Sequence, residues 1–431
     1  MFESIYQKAV IVQIEFSKGR DGFSRLSAFD EFRELALSSG AEISHEDFSK
    51  QAKPTAGLFI TKGKAERIKD FVVETDSELV IFNHELTPSQ ERNLENIFQA
   101  RVLDRTGLIL DIFAERASSH IGKLQVELAQ LSHLSTRLVR GWSHLERQKG
   151  GIGLRGPGET QLETDRRLIN QRIKNIKKRL NKSHKQREVN RYSRNKSNQT
   201  LVALVGYTNA GKTTLFNLLT ESELYAANKL FATLDSVTRK NSIPGLEDIL
   251  FSDTVGFISD LPTELIESFK ATLDELKSAD ILIHVVDISD PDFIYKTEQV
   301  CSILKELGVS DIPCIRVNNK SDKVDISVND NITSNSNNEV WVSALNNKGM
   351  DDLVNSIQFN RKKYMVKKWV ELQPSQGKIR AKLYSMGKVL EETTSETGLI
   401  QLRLEIDKNE LNNLISNKGI DLKNNKIKEA I

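Results

Sequence analysis

The sequence predicts a multidomain α/β protein, and three observations lead to that prediction. At 431 residues the chain is too long for one ordinary core, since domains usually hold roughly 100 to 200 residues. In two separate stretches, short β-rich runs alternate with amphipathic helical segments, which is typical of parallel sheets. Between these stretches, apolar residues at helical spacing predict two long helices. We therefore expect an N-terminal α/β domain, a long antiparallel helical hairpin, a second α/β domain and a small C-terminal α/β domain.

The composition is that of a folded globular protein. Hydrophobic residues make up 38% and charged residues 28% of the chain, outside the disordered and fibrous classes. The opening run MFESIYQKAVIVQIEF has no basic region, no cleavage site and no apolar stretch of membrane-spanning length. Cys301 and Cys314 lack metal-ligand spacing and are too few for a disulfide framework. These features favour a reducing, cytoplasmic setting.

Residues 1–117 are predicted to form the N-terminal α/β domain. Its β-like runs include VIVQIEF, ELVIF and ARVLD. The nearest glycine cluster, Thr61 to Lys64, lacks the count and spacing of a phosphate-binding turn. The residues therefore give no support to a nucleotide site in this domain.

Residues 118–196 are predicted to form the helical hairpin, whose two helices are joined by the glycine-rich loop 150–158. The first apolar stripe follows alternating steps of three and four, with Ser135 in one polar slot. Core packing within a monomer is favoured over a dimer zipper. The first stripe comprises Ile121, Leu124, Leu128, Leu131, Leu138, Trp142 and Leu145, and the second comprises Ile169, Ile173, Ile176 and Leu180.

The second helix of the hairpin is strongly basic. Between Arg166 and Lys196 there are thirteen lysines and arginines against one acid, Glu188, although the whole chain has a net charge of only +2. Like charges along one helix repel, so we expect a polyanion as the working partner. For the basic helix, RNA binding is favoured and a solvated helix face is the alternative. For the glycine-rich loop, a contact of Arg155 with RNA and a flexible hinge are the two alternatives. The candidate RNA-binding residues are Arg155, Arg166, Arg167, Arg172, Lys174, Lys177, Lys178 and Arg179.

The run LVALVGYTNAGKTT has the pattern of a phosphate-binding loop between a buried strand and a helix. Gly206 and Gly211 allow the backbone to curl so that its amides face phosphate groups. Lys212 is expected to neutralise the β- and γ-phosphates, and the Thr213 hydroxyl to coordinate Mg²⁺. The predicted nucleotide contacts in this loop are Gly206, Tyr207, Thr208, Asn209, Ala210, Gly211, Lys212, Thr213 and Thr214.

Two further motifs complete the pattern of a GTP site. Asp253, after the strand-like DILFS, is expected to hold Mg²⁺ through water, and the Gly256 amide to face the γ-phosphate. Asp322 is expected to accept the N1–H and N2–H donors of guanine, an order of groups that adenine does not offer. The sequence thus predicts a Ras-like P-loop GTPase domain over residues 199–362. Its guanine contacts are expected from Asn319, Lys320, Asp322, Ser343, Ala344 and Leu345.

The segment LFATLDSVTR supplies the expected first switch. Phe231 is a candidate nucleotide contact, and Thr233 or Thr238 offers the hydroxyl that closes on Mg²⁺ and the γ-phosphate. Together with Lys212 and Gly256, Thr233 is a catalytic candidate.

Phe257 directly follows Gly256, where many switch GTPases have a glutamine that orients the attacking water. We therefore expect slow intrinsic hydrolysis and a partner that supplies the missing orientation. Some GTPases with a hydrophobic residue in place of that glutamine use an asparagine of the phosphate-binding loop to ligate K⁺. Asn209 stands at the position of that asparagine. A turn residue of the loop is the equal alternative for Asn209.

With GYTNAGKTT, FATLD, DTVGFI and NNKSD, and with the string GGIGLRGPGETQLETDRR before them, the chain resembles the HflX family. The resemblance runs from the N-terminal domain to at least Lys362, and the glycine-rich string is its most specific part. It implies a ribosome-associated GTPase that binds the large subunit, is stimulated by it, and dissociates or rescues ribosomes under stress. It also implies Thr233 as the switch threonine and a position of the glycine-rich loop near the peptidyl transferase centre. Ser236, where the family usually has proline, and the loop VNDNITSNSNNE depart from the pattern.

Two other classes of function stay open. An RNA-modifying enzyme would need a second active site, and the sequence offers no cysteine nucleophile near its C-terminus, metal cluster or methyl-donor loop for one. A GTP-gated RNA-binding protein or protease regulator would bind its partner without ribosome splitting. The expected location is the cytoplasm, with peripheral association with ribosomes or membrane. Residues 367–431 are predicted to form the C-terminal domain, to which the sequence assigns no role.

Overall fold

Three β-sheets and a pair of long helices organise the described part of the chain, which confirms the predicted α/β class. Among the described residues, no helix combines the length and apolar character needed to cross a membrane. The computed structural model describes residues 7–16, 25–141, 157–196, 199–222, 230–241, 243, 246, 249–259, 261–262, 265, 276–324, 338–386, 388–395, 398–407 and 427–429.

The N-terminal sheet has four parallel strands, β1 (Lys8–Phe16), β2 (Glu42–Gln51), β3 (Leu79–Phe82) and β4 (Arg101–Leu103), in the order β2-β1-β3-β4. The helices that alternate with these strands are α1 (Arg25–Ser38), α2 (Lys62–Thr75), α3 (Pro88–Phe98) and α4 (Arg105–Arg116). Strand β3 is buried along its whole length, as expected for a parallel strand covered on both faces. Asp104 caps α4 by accepting a hydrogen bond from the Gly107 amide at 2.8 Å.

Two long helices follow, α5 (His120–Gly141) and α6 (Pro157–Lys196). They pack through Leu124, Leu128, Ile176 and Leu180, which belong to the two predicted stripes. Helix α6 begins at Pro157, so Pro157 and Gly158 belong to the helix and not to the predicted loop; proline is favourable at the first helical position because its missing N–H has no partner there. Outside the described residues lie the Leu138 side chain, Trp142, Leu145 and residues 150–156, including Arg155.

The central sheet has the strands β5 (Thr200–Gly206), β6 (Val237–Lys240), β7 (Ile249–Asp253), β8 (Ile281–Asp287), β9 (Cys314–Asn319) and β10 (Glu339–Trp341). Their order is β10-β9-β8-β5-β7-β6, and β6 is antiparallel to β7 while the other pairs are parallel. Among the described residues, the α-helices that accompany this sheet are α7 (Lys212–Thr220), α8 (Phe293–Glu306) and α9 (Met350–Tyr364). Ligands of such open sheets bind beyond the carboxyl ends of the parallel strands.

The last sheet is antiparallel, with β11 (Met365–Leu372), β12 (Lys388–Thr394), β13 (Ile400–Asp407) and β14 (Ile427–Glu429) in the order β12-β13-β11-β14. Helix α10 (Gly377–Met386) packs on it through Leu383. Since α9 ends at Tyr364 and β11 begins at Met365, no linker separates the central and C-terminal parts. Of the predicted asparagine-rich loop, which spans residues 328–339, residues 328–337 lie outside the described residues.

One apolar core joins the N-terminal sheet to the central one. The ring of Phe113 in α4 meets the ring of Phe231 edge to face, with centroids 4.6 Å apart. Phe257 and Ile258, which follow β7, are buried in the same core. Both segments expected to switch with the nucleotide therefore pack against the N-terminal part of the protein.

Candidate nucleotide-binding site

The phosphate-binding loop runs from the end of β5 to the start of α7. Gly211 has a φ of 91°, and a Cβ there would lie 2.3 Å from Nδ2 of Asn319. Only glycine fits that position without displacing the guanine motif. Asn319 holds the loop in turn, because its Nδ2 donates to the Ala210 carbonyl at 2.8 Å. The predicted loop and the predicted guanine motif are thus in direct contact.

Lys212 is buried at the first position of α7, with 6% of its surface exposed. Its Nζ donates to the Tyr207 carbonyl at 2.7 Å. A Cβ added to Gly256 would lie 2.9 Å from that nitrogen, which places Gly256 beside the lysine. Burial lowers the pKa of Lys212 to about 8, while the nearby Asp253 carboxylate acts to raise it.

Asp253, at the end of β7, gathers two hydroxyl groups on one carboxylate oxygen. Its Oδ2 accepts from Thr213 Oγ1 at 2.8 Å and from Thr233 Oγ1 at 2.9 Å, and the two hydroxyls lie 2.9 Å apart. Its Oδ1 is buried without a hydrogen-bond partner among the described residues. Burial raises the pKa of Asp253 despite the opposing effects of Lys212 and both hydroxyls. Desolvation of both charges therefore outweighs the attraction between Asp253 and Lys212.

This oxygen cluster fits the predicted Mg²⁺. Hydroxyl and carboxylate oxygens are the ligands that Mg²⁺ prefers, and it usually takes one or two carboxylates together with phosphate oxygens. The buried, unpartnered Oδ1 of Asp253 supplies a further acceptor that water on the ion can satisfy. No group of three or more His, Cys, Asp or Glu side chains suited to a metal occurs among the described residues. The donor set is therefore that of a phosphate-linked magnesium site.

The guanine motif lies where β9 and β10 end. Asn319 Oδ1 accepts from the Ala344 amide at 3.1 Å, and Asp322 Oδ1 accepts from Ser343 Oγ at 2.5 Å. The Ser343 bond is the main cause that lowers the pKa of Asp322, whose carboxylate is exposed. Lys320 Nζ pairs with Asp287 Oδ2 at 2.6 Å. These bonds orient an ionised carboxylate toward solvent, ready to accept two donors.

The side chains of the other predicted nucleotide contacts differ in exposure. Phe231 is 2% exposed in the core shared with Phe113, and Leu345 is 79% exposed. Thr208 Oγ1 is buried without a partner among the described residues. Asn209 is exposed, has a φ of 60° and lines a cavity of about 260 Å³ between α1 and the loop. Thr214 is half-buried in α7.

The residue after Gly256 ties the second switch to the loop. The Phe257 amide donates to the Gly206 carbonyl at 3.1 Å, and the Thr208 amide donates to the Phe257 carbonyl at 2.7 Å. The Phe257 ring is 3% exposed in the core. An apolar side chain at this position is therefore part of the packing and is not available to orient water.

The sequence did not predict a buried polar network beneath the loop. Arg105 Nη2 donates to Glu31 Oε1 at 2.7 Å and to the Ser259 carbonyl at 2.9 Å. Glu31 also accepts from Tyr207, from which it is separated by 176 positions in the chain. No local pattern signals a pair this far apart, so the network could not have been found without the fold.

The seven candidate RNA-binding residues of α6 that the structure describes are all exposed. Among them, Arg172 forms an ion pair, in which its Nε lies 2.6 Å from Glu127 Oε1 of α5. This pair raises the pKa of Arg172. The apolar face of α6 is turned to α5 and its cationic faces are turned to solvent.

The strand order and the phosphate-binding loop are those of a P-loop GTPase, and so is the carboxylate of Asp253 that accepts from Thr213 and Thr233. Residues 27–114 match a family model described as GTP-binding GTPase N-terminal, residues 116–194 one described as GTP-binding GTPase Middle Region, and residues 201–320 one described as 50S ribosome-binding GTPase. The chain is 45% identical over 402 residues to the GTPase HflX of Escherichia coli (strain K12), covering 93% of each chain. It belongs to the HflX family of GTPases, and its activity is the hydrolysis of GTP.

A second relative, the GTPase HflX of Caldanaerobacter subterraneus subsp. tengcongensis, is 44% identical over 372 residues, covering 86% of this chain and 85% of that one. Among solved structures, a GTP-binding protein from the hyperthermophilic archaeon Sulfolobus solfataricus in complex with GDP is 22% identical, covers 83% of this chain and 99% of its own, and has a TM-score of 0.45.

Proposed function

We propose that this GTPase binds the large ribosomal subunit through α6, dissociates or rescues ribosomes under stress, and is stimulated in hydrolysis by that subunit. The observation that carries the proposal is the basic surface of α6, defined as the exposed cations from Arg166 to Arg179. The match of residues 201–320 to a 50S ribosome-binding GTPase model supports the same partner.

The basic surface has the chemistry of a ribosomal RNA contact. Only Arg172 of its seven cations is ion-paired within the described part of the chain, so the other six are available to phosphate groups. Proteins that neutralise several phosphates release counterions, which makes such binding strong at low salt. RNA helices are recognised mainly through phosphates and shape, as an exposed helix of this kind allows.

Hydrolysis joins a water oxygen to the γ-phosphorus and breaks the bond to the β–γ bridging oxygen, whose electron pair stays on GDP. We assign Lys212 to the β- and γ-phosphates and the Gly256 amide, beside it, to the γ-phosphate. A charged lysine in this buried place stabilises negative charge more than it would in water.

Thr213, Thr233 and Asp253 are proposed to hold Mg²⁺, with Asp253 acting through water. Bound Mg²⁺ neutralises charge that develops on the phosphate oxygens. Thr233 would then sense the γ-phosphate, because its hydroxyl reaches the cluster from the first switch while Thr213 reaches it from the loop.

Asp322 is proposed to accept N1–H and N2–H of guanine, with Asn319 holding the loop and Ser343 orienting the carboxylate. Because Phe257 is packed in the core and cannot orient water, we expect a group from outside this chain to do so. Slow turnover alone and fast turnover on the ribosome are the expected consequences. Asn209 is the candidate K⁺ ligand.

Cosedimentation with purified large subunits at about 50 and 200 mM salt tests the ribosomal proposal. The combined variant Lys177→Glu, Lys178→Glu and Arg179→Glu should bind more weakly and lower the salt slope by about three. The charge-matched control is Lys53→Glu, Lys62→Glu and Arg67→Glu, which reverses exposed cations of the N-terminal domain. Equal loss in both variants, or binding of the wild type that ignores salt, would contradict the proposal.

A further inference from the structure

The carboxylate of Asp235 sits at the start of α5, far along the chain from its own segment. Its Oδ2 accepts from the Ser118 amide at 3.0 Å, the Ser118 hydroxyl at 2.9 Å and the Ser119 amide at 2.7 Å. Its Oδ1 accepts from the Ser119 hydroxyl at 2.5 Å. Four donors from two neighbouring residues thus hold one acidic side chain.

These donors belong to Ser118 and Ser119, which directly precede α5 at the end of a helix that attracts anions. The first amides of a helix have no partner within it, and the helix dipole favours negative charge at that end. The Ser119 hydroxyl also accepts from the Gly122 amide at 2.8 Å, so the residue that caps α5 donates to the carboxylate as well. The same bonds hold the pKa of Asp235 below its usual range despite its burial.

The close contact between Asp235 and the start of α5 leaves no room for a side chain at Gly122. A Cβ added to Gly122 would lie 2.1 Å from Asp235 Oδ1 and 3.1 Å from Ser119 Oγ. Glycine is a poor residue in the first turns of a helix on propensity alone. Its presence here is explained by the close approach of Asp235.

Asp235 lies two residues after Thr233. The segment 230–235 is held in place by contacts both before and after Thr233. Before it, the Leu230 amide donates to Ser38 Oγ at 3.1 Å, and Phe231 packs on Phe113. After it, Asp235 is held by α5. The Thr233 hydroxyl meets Asp253 in between, at 2.9 Å.

We propose that Asp235 is a positioning residue for GTP hydrolysis: seated on the first turn of α5, it holds the Thr233 hydroxyl at the Asp253 and Thr213 oxygens. The inference rests on the role proposed above for Thr233. Because α5 packs on α6 through Leu124, Leu128, Ile176 and Leu180, the same contact links the first switch to the basic surface.

The test compares steady-state GTP hydrolysis and GDP affinity of full-length variants. Asp235→Ala should lower kcat about tenfold and raise the Mg²⁺ concentration for half-maximal rate, with GDP affinity unchanged, since GDP has no γ-phosphate for Thr233 to meet. Gly122→Ala should reproduce the loss from the helix side without altering the switch sequence. The control, Asp351→Ala, removes an exposed acid from the first turn of α9 and should leave kcat unchanged.

The double variant Thr233→Ala with Asp235→Ala separates positioning from general damage. If Asp235 acts through Thr233, the double variant is no slower than Thr233→Ala alone. Additive losses, unchanged kcat in Asp235→Ala, or parallel loss of GDP affinity would overturn the inference. If Thr233→Ala alone retains the full kcat, the proposed role of Thr233 fails, and the inference about Asp235 fails with it. If kcat falls in Thr233→Ala but not in Asp235→Ala, only the inference about Asp235 is overturned.

Discussion

The hydroxyl of Tyr207, in the phosphate-binding loop, donates a hydrogen bond to the carboxylate of Glu31 in α1. The Tyr207 hydroxyl oxygen also accepts a hydrogen bond from the Ser259 amide at 2.8 Å. The Glu31 carboxylate forms an ion pair with the Arg105 guanidinium at 2.7 Å. Burial and the Glu31 carboxylate raise the pKa of Tyr207, so the phenol stays a neutral donor. The loop, the segment after the second switch and the N-terminal domain therefore share one buried polar network.

Replacing Tyr207 by phenylalanine should lower the free energy of unfolding by about 1 to 3 kcal/mol, because buried polar groups of Glu31 and Ser259 each lose a partner. Chemical denaturation of the full chain measures the change. Tyr384→Phe is the matched control, since Tyr384 also donates to a glutamate, Glu392, but is 49% exposed. Equal destabilisation by both substitutions would contradict the importance assigned to burial.

Asp322→Asn should exchange the base preference. An amide in place of the carboxylate offers a donor to the O2 of xanthine and loses one acceptor for guanine, so GTP affinity should fall about 10- to 100-fold while xanthosine triphosphate gains. Competition with a labelled nucleotide gives both affinities. Asp311→Asn, an exposed acid of the same domain, should change neither. An unaltered preference in Asp322→Asn would show that this carboxylate does not read the base.

His284 predicts a loss of stability in mild acid. Burial first, then Arg316 and Lys212, lower its pKa to about 4 in the folded chain. In the unfolded chain the pKa of the His284 imidazole is about 6.5, so as the pH falls the unfolded chain binds the proton before the folded chain does. The contribution of neutral His284 to the free energy of unfolding is therefore complete above pH of about 6.5 and is lost as the pH drops toward 4. Urea unfolding between pH 4 and 7 should show a shallower fall for His284→Gln than for the wild type. Parallel pH curves for the two proteins would exclude this residue as the cause.

Asn209 predicts a cation preference in hydrolysis. If its amide ligates K⁺, turnover should be faster in potassium than in sodium salts. Asn209→Gly removes the amide while tolerating the φ of 60°, and should abolish the difference. Equal wild-type rates in the two salts would leave Asn209 as a turn residue of the loop.

Local patterns predicted the parts of the fold and site that depend on neighbours in the chain. The strand, loop and helix around Lys212 follow from one apolar run and its glycines, and the stripes of α5 and α6 from helical periodicity. Of the two candidate threonines, the structure brings Thr233 to Asp253, whereas Thr238 pairs with Ser252 in the sheet.

The contacts that position the switches were beyond such patterns. Asp235 meets Ser118 across 117 positions of sequence, and Ser259 meets Glu31 across 228. Each pair consists of common polar residues whose roles depend on how the N-terminal sheet packs against the central one. Ser119 caps α5 by accepting from the Gly122 amide, but nothing local indicated that Ser118 and Ser119 would also donate to a carboxylate of the first switch.

GTP turnover by the purified protein, alone and with large ribosomal subunits at two salt concentrations, tests the central claim most directly. We expect slow turnover alone, strong stimulation by the subunit, and loss of that stimulation at the higher salt as α6 releases the RNA. Turnover that the subunit does not change at either salt would contradict the claim and favour a GTP-gated regulator with another partner.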